Sequence, residues 1–352
     1  MGNKIYFDNA ATTQLDPVVK EDMIRVMDQC PGNPSSIHSL GREAKTEIEK
    51  SRKKVAEVLN ASPSEIFFTS GGTEANNTII NGVVNSLGIT KVISSPIEHP
   101  SVLVTLQRLS ESGAIELGSV KLDSNGHVDL RSLEKYLKNN PNSFVSLMHA
   151  NNEIGNLTSL KKVGELCKEY NAIYHADTVQ TVGKYHIDLQ TVGVDFITCS
   201  AHKLHGPKGV GFFYMKGADR SIKPFITGGA QERNMRGGTE NTYGIVGLTK
   251  ALEIAVSDLD NIQSQIEALK EYMLSELIAN FESVSFNGDV ENKSLFNLIN
   301  AGFVINNGQE ITPDKLDMLL FNLDIEGVAV SGGSACSSGS LVGSHVLKAL
   351  KV

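Results

Sequence analysis

At 352 residues, with 40% hydrophobic and 20% charged side chains, the chain is long enough for a large core and has the composition of a globular protein. A net charge of −8 argues against a nucleic-acid surface, and no apolar run reaches the roughly 18 residues of a membrane span. The opening MGNKIYFDNAATT lacks the apolar centre of a signal peptide, and Tyr6 breaks the myristoylation pattern. Four scattered cysteines without a CxxC pair point to a reducing, cytoplasmic compartment rather than to zinc or disulfides.

In chain order, Asp16-Pro17 predicts an N-cap followed by proline at the first helical position, opening a helix to about Cys30. Gly41 to Asn60 reads as a charged amphipathic helix. EIFFTS (Glu65 to Ser70) is a strand leading into a helix from Thr73 to Leu87. KVISSP (Lys91 to Pro96) is a strand, with a helix after Pro100. SFVSLMHA (Ser143 to Ala150), AIYHAD (Ala172 to Asp177) and DFITCSA (Asp195 to Ala201) are rich in β-branched or aromatic residues and read as strands. A helical pattern from Ser159 to Tyr170 separates the first two. This repetition predicts an α/β fold whose parallel or mixed sheet carries helices on both faces. A long helical stretch from Asn241 to Asn280 leads to a smaller α+β lobe, with strands in SVSFNG, NLINAGFV and GVAVSG and a helix from about Thr312. DSNGHVD (Asp123 to Asp129) lacks the third acid and terminal Glu of a calcium loop and reads as an Asn-Gly turn.

Ligands of an open α/β sheet gather at the carboxyl ends of its strands, and polar residues cluster at those ends here. Gly71, Gly72 and Thr73 follow a strand and open a helix, which suits a phosphate, although an ordinary cap is the plainer reading of the tripeptide alone. Asp177 ends a strand, with Gln180 three residues on; it is either a cap or a partner for a cation. DFITCSAHKLHGPKG runs a mostly apolar strand into Ser200, His202 and Lys203. Lysine is seldom buried without a role or a partner, and desolvation makes its amine a nucleophile; a surface lysine at a strand exit is the alternative. His202 and His205 lack a nearby third metal ligand and read as turn-packing residues. His99 and Asn152 fall at two further strand ends. A lysine, an acid, a phosphate cradle and a stacking histidine at one edge are the requirements of pyridoxal 5'-phosphate. Cys336 is a different feature. It sits in SGGSACSSGS, where nothing can pack a core.

The chain resembles the NifS/IscS-type cysteine desulfurases, within the class V aminotransferase branch of the fold type I pyridoxal-phosphate enzymes. The resemblance runs in order through YFDNAATT, GNPSSIHSLG, FFTSGGTEANN, EHPSV, MHANNEIG, YHADTVQTVGK, SAHKLHGPKGVG, RGGTEN and SGGSACSSGS. The cysteine motif distinguishes this branch from the SufS-like one. The resemblance implies a large cofactor-binding domain over 14–260. A small domain would combine 1–13 with 261–352 and carry a mobile cysteine loop at about 330–342. By the same implication Lys203 holds the cofactor covalently, Asp177 pairs with the ring nitrogen, Gln180 contacts the ring oxygen and His99 stacks on the ring. Gly72, Thr73, Ser200 and His202 hold the phosphate, with Thr239 reaching in from the second subunit of a homodimer. Asn152 lies beside substrate and cofactor, and Asn33 near the substrate carboxylate. Cys336 takes sulfur from L-cysteine as a persulfide, leaves L-alanine and delivers the sulfur to an iron–sulfur scaffold or a tRNA-thiolation protein. A selenocysteine lyase, another class V transaminase and a catalytically weak scaffold-binding platform are the alternatives. The family pattern continues past SHVLKALKV with an Arg-Phe-Ser-like motif whose arginine takes the substrate carboxylate. In a chain ending at Val352 the expectation is a weaker hold on that group.

Overall fold

The computed structural model describes residues 4–217, 222–303, 313–333 and 343–351. The chain opens with a short strand, β1 (Ile5–Tyr6), followed by the helices Pro17–Gln29 and Ser39–Val58. Asp16 caps the first of these as its sequence predicts, its carboxylate accepting from the Val18 and Val19 amides. The strands β2 (Ile66–Thr69), β3 (Lys91–Ser94), β4 (Glu116–Ser119), β5 (Phe144–Ser146), β6 (Ile173–Asp177), β7 (Phe196–Ser200) and β8 (Gly211–Met215) follow. They form one seven-stranded sheet in the order β2-β8-β7-β6-β5-β3-β4. β8 is antiparallel to β2 and β7, and every other pairing is parallel. β2 therefore points the same way as β3 to β7, and its carboxyl end lies at the same edge as theirs.

Alternation along the central strands feeds opposite faces of the sheet. Phe212 and Tyr214 join one apolar cluster with Tyr174 and Ile197. Phe213 and Met215 join another with Phe67, Phe144 and Phe196. All of β7 and β8 is buried, so these strands read as continuous apolar runs with helices on both sides. Each buried aromatic or aliphatic side chain stabilises the fold by about 1.5–3 kcal/mol.

β4 and β8 were not foreseen. β4 (ELGS) is a half-exposed edge strand, too polar to show periodicity. β8 (GFFYM) stands directly behind the glycine- and proline-rich turn after Lys203. The long helical stretch expected across Asn241 to Asn280 is made of two helices, Thr242–Ser257 and Leu259–Asn280. Asp258 separates them with a non-helical backbone (φ −138°, ψ 34°), and its carboxylate accepts from the Asn261 side chain. Beyond lie β9 (Val284–Phe286) and β10 (Ala301–Phe303), which pair antiparallel, and the helix Pro313–Ile325. β11 (Val328–Ala329) then pairs in parallel with β1, and the helix His345–Leu350 follows. At DSNGHVD, Gly126 is left-handed (φ +82°), and the Asp123 carboxylate accepts from the Asn125 and His127 amides, which makes a turn.

Candidate active site

Asp177 is the last residue of β6 and Ser200 the last of β7; Lys203 follows at once in a single 3₁₀ turn, Ala201–Lys203. The mostly apolar run of β7 carries the lysine inward, so that only 8% of it is exposed. Its Nζ donates to the carbonyls of Ala10 (2.5 Å) and Ala11 (2.7 Å). The N-terminal segment is laced to the same turn by Thr13, whose amide donates to the His202 carbonyl at 2.8 Å. The Thr13 hydroxyl accepts from the His205 amide at 2.7 Å. His202 Nδ1 lies 3.1 Å from the Thr12 hydroxyl, and His205 Nδ1 lies 2.9 Å from the Gln14 carbonyl. Both histidines are thus engaged in turn packing. Burial, then the charges of Lys203 and Lys208, push the His202 ring down to about 4 and keep it neutral.

Asp177, 5% exposed, is held from two sides. Asn76 donates to its Oδ2 at 2.8 Å and the Val179 amide to its Oδ1 at 3.0 Å. Asn76 also donates to the Ser101 hydroxyl (2.9 Å), which lies 2.7 Å from His99 Nδ1. A relay thus connects His99 to Asp177 through Ser101 and Asn76. His99 is the N-cap of the helix Pro100–Glu111, which fixes its ring at the end of the β3 segment. Burial lowers the pKa of His99, an effect that Asp177 opposes and that Lys203 and His345 reinforce.

The helix Gly72–Leu87 begins without a side-chain cap, so its first amides are not taken by a cap side chain. Gly71 has φ +149°, and a Cβ on Gly72 would meet Val179 Cγ2 at 2.6 Å. Glycine is therefore required where this turn passes the β6 exit. Ser200 closes one side, its hydroxyl 3.6 Å from where a Gly71 Cβ would stand, and Thr73 is exposed on the first turn. Within that turn, burial pushes the Glu74 carboxyl up, but hydrogen bonds from Arg236 and the Ser70 amide outweigh it and hold it below its usual range. Arg236 Nε donates to Glu74 at 3.0 Å, tying the RGGTEN segment to this helix.

Lys203, Asp177, Gln180, Ser200, His202, His99, Gly72 and Thr73 all lie at this edge. Asn152 is half-buried in the loop after β5; its neighbour Asn151 shapes that loop, donating to the Ile97 carbonyl and accepting from the Glu153 and Ile154 amides. Thr239 and Asn33 are exposed, and the Asn33 side chain accepts from the Ser35 amide at 2.9 Å within its own turn. Cys336 lies outside the described residues. Reading the sequence missed Asn76 and Ser101, the Ala10 and Ala11 carbonyls, and two buried ionisable groups, Lys184 and Glu98. Glu98 is 1% exposed; its Oε1 accepts from the Met148 amide at 2.9 Å, while its Oε2 has no hydrogen-bond partner among the described residues. Asn76, four residues past the glycine pair and 1% exposed on a helix whose buried face is mostly apolar, was the signal available for the relay.

The geometry fits pyridoxal 5'-phosphate. The buried amine suits covalent attachment, the doubly anchored carboxylate suits a ring nitrogen, and the open glycine turn at a helix N-terminus suits a phosphate. The aminotransferase class-V family model matches residues 5–351. A cysteine desulfurase IscS of Dictyoglomus turgidum is 42% identical over 355 residues, covering 100% of this chain and 87% of the relative. A cysteine desulfurase of Nostoc is 38% identical, covering 98% and 84%. Among solved structures, a NifS-like protein superposes with a TM-score of 0.89 at 38% identity, over 99% of this chain and 90% of the other. SspA in complex with cysteine superposes with a TM-score of 0.84 at 31% identity, over 99% and 95%. With this sheet, this edge and these relatives, the chain belongs to the class-V aminotransferase family of fold type I pyridoxal-phosphate enzymes, in its NifS/IscS-type cysteine desulfurase branch.

Proposed function

We propose that the protein is a cysteine desulfurase that converts L-cysteine to L-alanine and retains the sulfur as a persulfide on Cys336. The observation that carries this reading is the buried Lys203 amine at one sheet edge with the Asp177–Asn76–Ser101–His99 relay. Pyridoxal 5'-phosphate, when bound, supplies an electron sink for the carbanion at the substrate Cα. Lys203 would exchange its hydrogen bonds to the Ala10 and Ala11 carbonyls for attachment to the cofactor, and its free amine is the group placed to take the substrate Cα proton. Asp177, fixed by Asn76 and the Val179 amide, keeps a proton on the ring nitrogen. Gln180 faces the ring oxygen, and His99, neutral and oriented by Ser101, stacks on the ring. The amides of Gly72 and Thr73, with Ser200 and His202, hold the phosphate, and Thr239 does so from the partner subunit of a homodimer. Asn152 and Asn33 contact the substrate. The Cys336 thiolate attacks the substrate sulfur; the Cβ–S bond breaks, a sulfur–sulfur bond forms, Cβ gains the proton that the substrate thiol gives up, and Cα regains the proton held by Lys203 as alanine leaves.

Residues 14–260 form the cofactor-binding domain, and 1–13 with 261–352 the small domain bearing the cysteine loop. The β1–β11 pairing, which joins the two ends of the chain, supports that division. A solved relative described as SspA in complex with cysteine supports the substrate. A protein acceptor, an iron–sulfur scaffold or a tRNA-thiolation protein, then takes the sulfur. No described helix is long and apolar enough to cross a membrane, and Cys30, Cys167 and Cys199 are free thiols, which suits a cytoplasmic location. The test is turnover of L-cysteine by the purified chain with pyridoxal phosphate and a reductant, quantifying alanine and sulfide together. Equal yields, abolished in Cys336→Ala, are expected. Alanine without sulfide, or pyruvate in place of alanine, sinks the proposal.

A further inference from the structure

Lys184 is a second buried amine beside the first. It is 9% exposed and lies in the turn after β6, where its Nζ donates to Gln180 Oε1 at 3.3 Å. The other end of the same carboxamide, Gln180 Nε2, donates to the Ala10 carbonyl at 3.1 Å. That carbonyl is also the acceptor of Lys203 Nζ. The two neighbours of Gln180 admit only one orientation: an ammonium can only donate and a backbone carbonyl can only accept. With Lys184 on the oxygen, the NH2 end must face Ala10 and the Lys203 amine. Without Lys184, among the described residues only the Ala10 carbonyl holds the carboxamide, and turning it over would trade the single hydrogen bond to Ala10 for one from the Lys203 ammonium to Oε1. Burial, then the nearby charge of Lys203, push Lys184 down to about 7, so this hold weakens as the pH rises through neutrality.

We propose that Lys184 is a positioning residue for the reaction, acting through Gln180: it keeps the carboxamide NH2, and never its oxygen, turned toward Lys203 and the ring oxygen of the cofactor. The second part rests on the desulfurase reading; the first does not. A free acceptor beside the Lys203 ammonium would stabilise the protonated amine and withhold the nucleophile.

The experiment uses the cofactor-free full-length protein. Acylation of Lys203 by a small amine-reactive ester is followed by peptide mass spectrometry between pH 6.5 and 9.5, with helical circular dichroism confirming the fold. Lys184→Met is expected to slow labelling of Lys203 at pH 6.5, where the Lys184 ammonium is present, about three- to tenfold and to move the midpoint upward, which corresponds to about half to one pH unit. Lys184→Arg, which keeps a donor on Gln180, restores the rate. In a Gln180→Met background Lys184→Met has no further effect. Gln180→Glu, which offers oxygens on both ends, slows labelling even with Lys184 present, and serves as the test if Lys184→Met does not fold. Unchanged labelling in Lys184→Met or in Gln180→Glu overturns the proposal. So does a Lys184→Met effect that persists undiminished in the Gln180→Met background, because it would then act by charge alone. L-cysteine turnover is read separately, so a failed desulfurase reading leaves this result standing.

Discussion

Two of the places where the protein buries charge are treated oppositely. Behind β2, Arg52 (2% exposed) meets Glu232 (4% exposed) with two parallel hydrogen bonds of 2.8 and 2.9 Å. Arg52 also donates to the Ile66 carbonyl at 2.9 Å and lies over the Phe68 ring at 4.8 Å, and Glu232 accepts from the Phe68 amide at 2.8 Å. Opposite charges cancel there in the bidentate geometry that suits a guanidinium and a carboxylate. This pair also fixes three successive left-handed residues, Glu232, Arg233 and Asn234 (φ 44°, 55° and 67°). Such residues are strained by roughly 1–2 kcal/mol each and need surroundings that hold them. At the sheet edge the pattern reverses. Two amines, Lys203 and Lys184, are met by carbonyls and a carboxamide, and Glu98 keeps one carboxyl oxygen unpartnered among the described residues. A structural cluster closes its own hydrogen bonds, whereas a working site leaves like charges together for a ligand to answer.

The comparison breaks first at Lys203. Lys203→Ala removes the attachment point and the proton carrier together, so turnover falls by at least about a thousandfold and the visible absorbance of the loaded protein disappears. Helical circular dichroism stays unchanged, because Lys203 lies in a three-residue 3₁₀ turn outside the α-helices. A variant that keeps the visible band disproves the lysine assignment. The second break is on the structural side. Glu232→Gln leaves the Arg52 charge buried and half answered, and urea unfolding should show a loss of about 3–5 kcal/mol. A loss below about 1 kcal/mol would put this pair with ordinary exposed ion pairs.

The two regions were also unequally legible in the sequence. β7 announces itself because FITC is buried on both faces, and an apolar run ending in SAHK leaves a lysine with nowhere to go but the edge. Asp16-Pro17 names its helix by capping chemistry alone. The partners of the reactive groups were not legible. The acceptors of Lys203 are backbone carbonyls of Ala10 and Ala11, and any residue type supplies a carbonyl. Asn76 and Asp177 are separated by 101 positions, and Arg52 and Glu232 by 180, so only the folded sheet brings them together. Edge strand β4 was lost because an exposed edge needs no apolar period. The break at Asp258 was lost because neither proline nor glycine marks it.

The smallest effect sharpens the comparison most, because it asks whether Glu98 is tolerated as a neutral acid. Burial raises its carboxyl well above the usual value of 4.5; the Met148 amide opposes this and the charge of Asp177 adds to it. The native state therefore holds a proton that the unfolded chain releases above about pH 4.5. By linkage this group's contribution is fully present below that value and is lost as the pH rises toward its folded pKa. Three histidines, one buried and two half-buried, slope the other way. His149, His175 and His202 are pushed down to about 4 by burial, so their contribution falls as the medium is acidified from about 6.5 toward 4. The bare pH profile of the native protein mixes these opposed slopes, and only a difference between variants separates them. Glu98→Gln keeps the size, keeps an oxygen for the Met148 amide and cannot titrate. In urea unfolding from pH 4.5 to 8, the variant should match the native protein at the acid end and gain on it steadily as the pH rises. A constant offset across that range means that Glu98 is already ionised in the native state. Its negative charge would then stand unpaired beside Asp177, and the edge would hold two like charges of each sign rather than a neutral acid among amines.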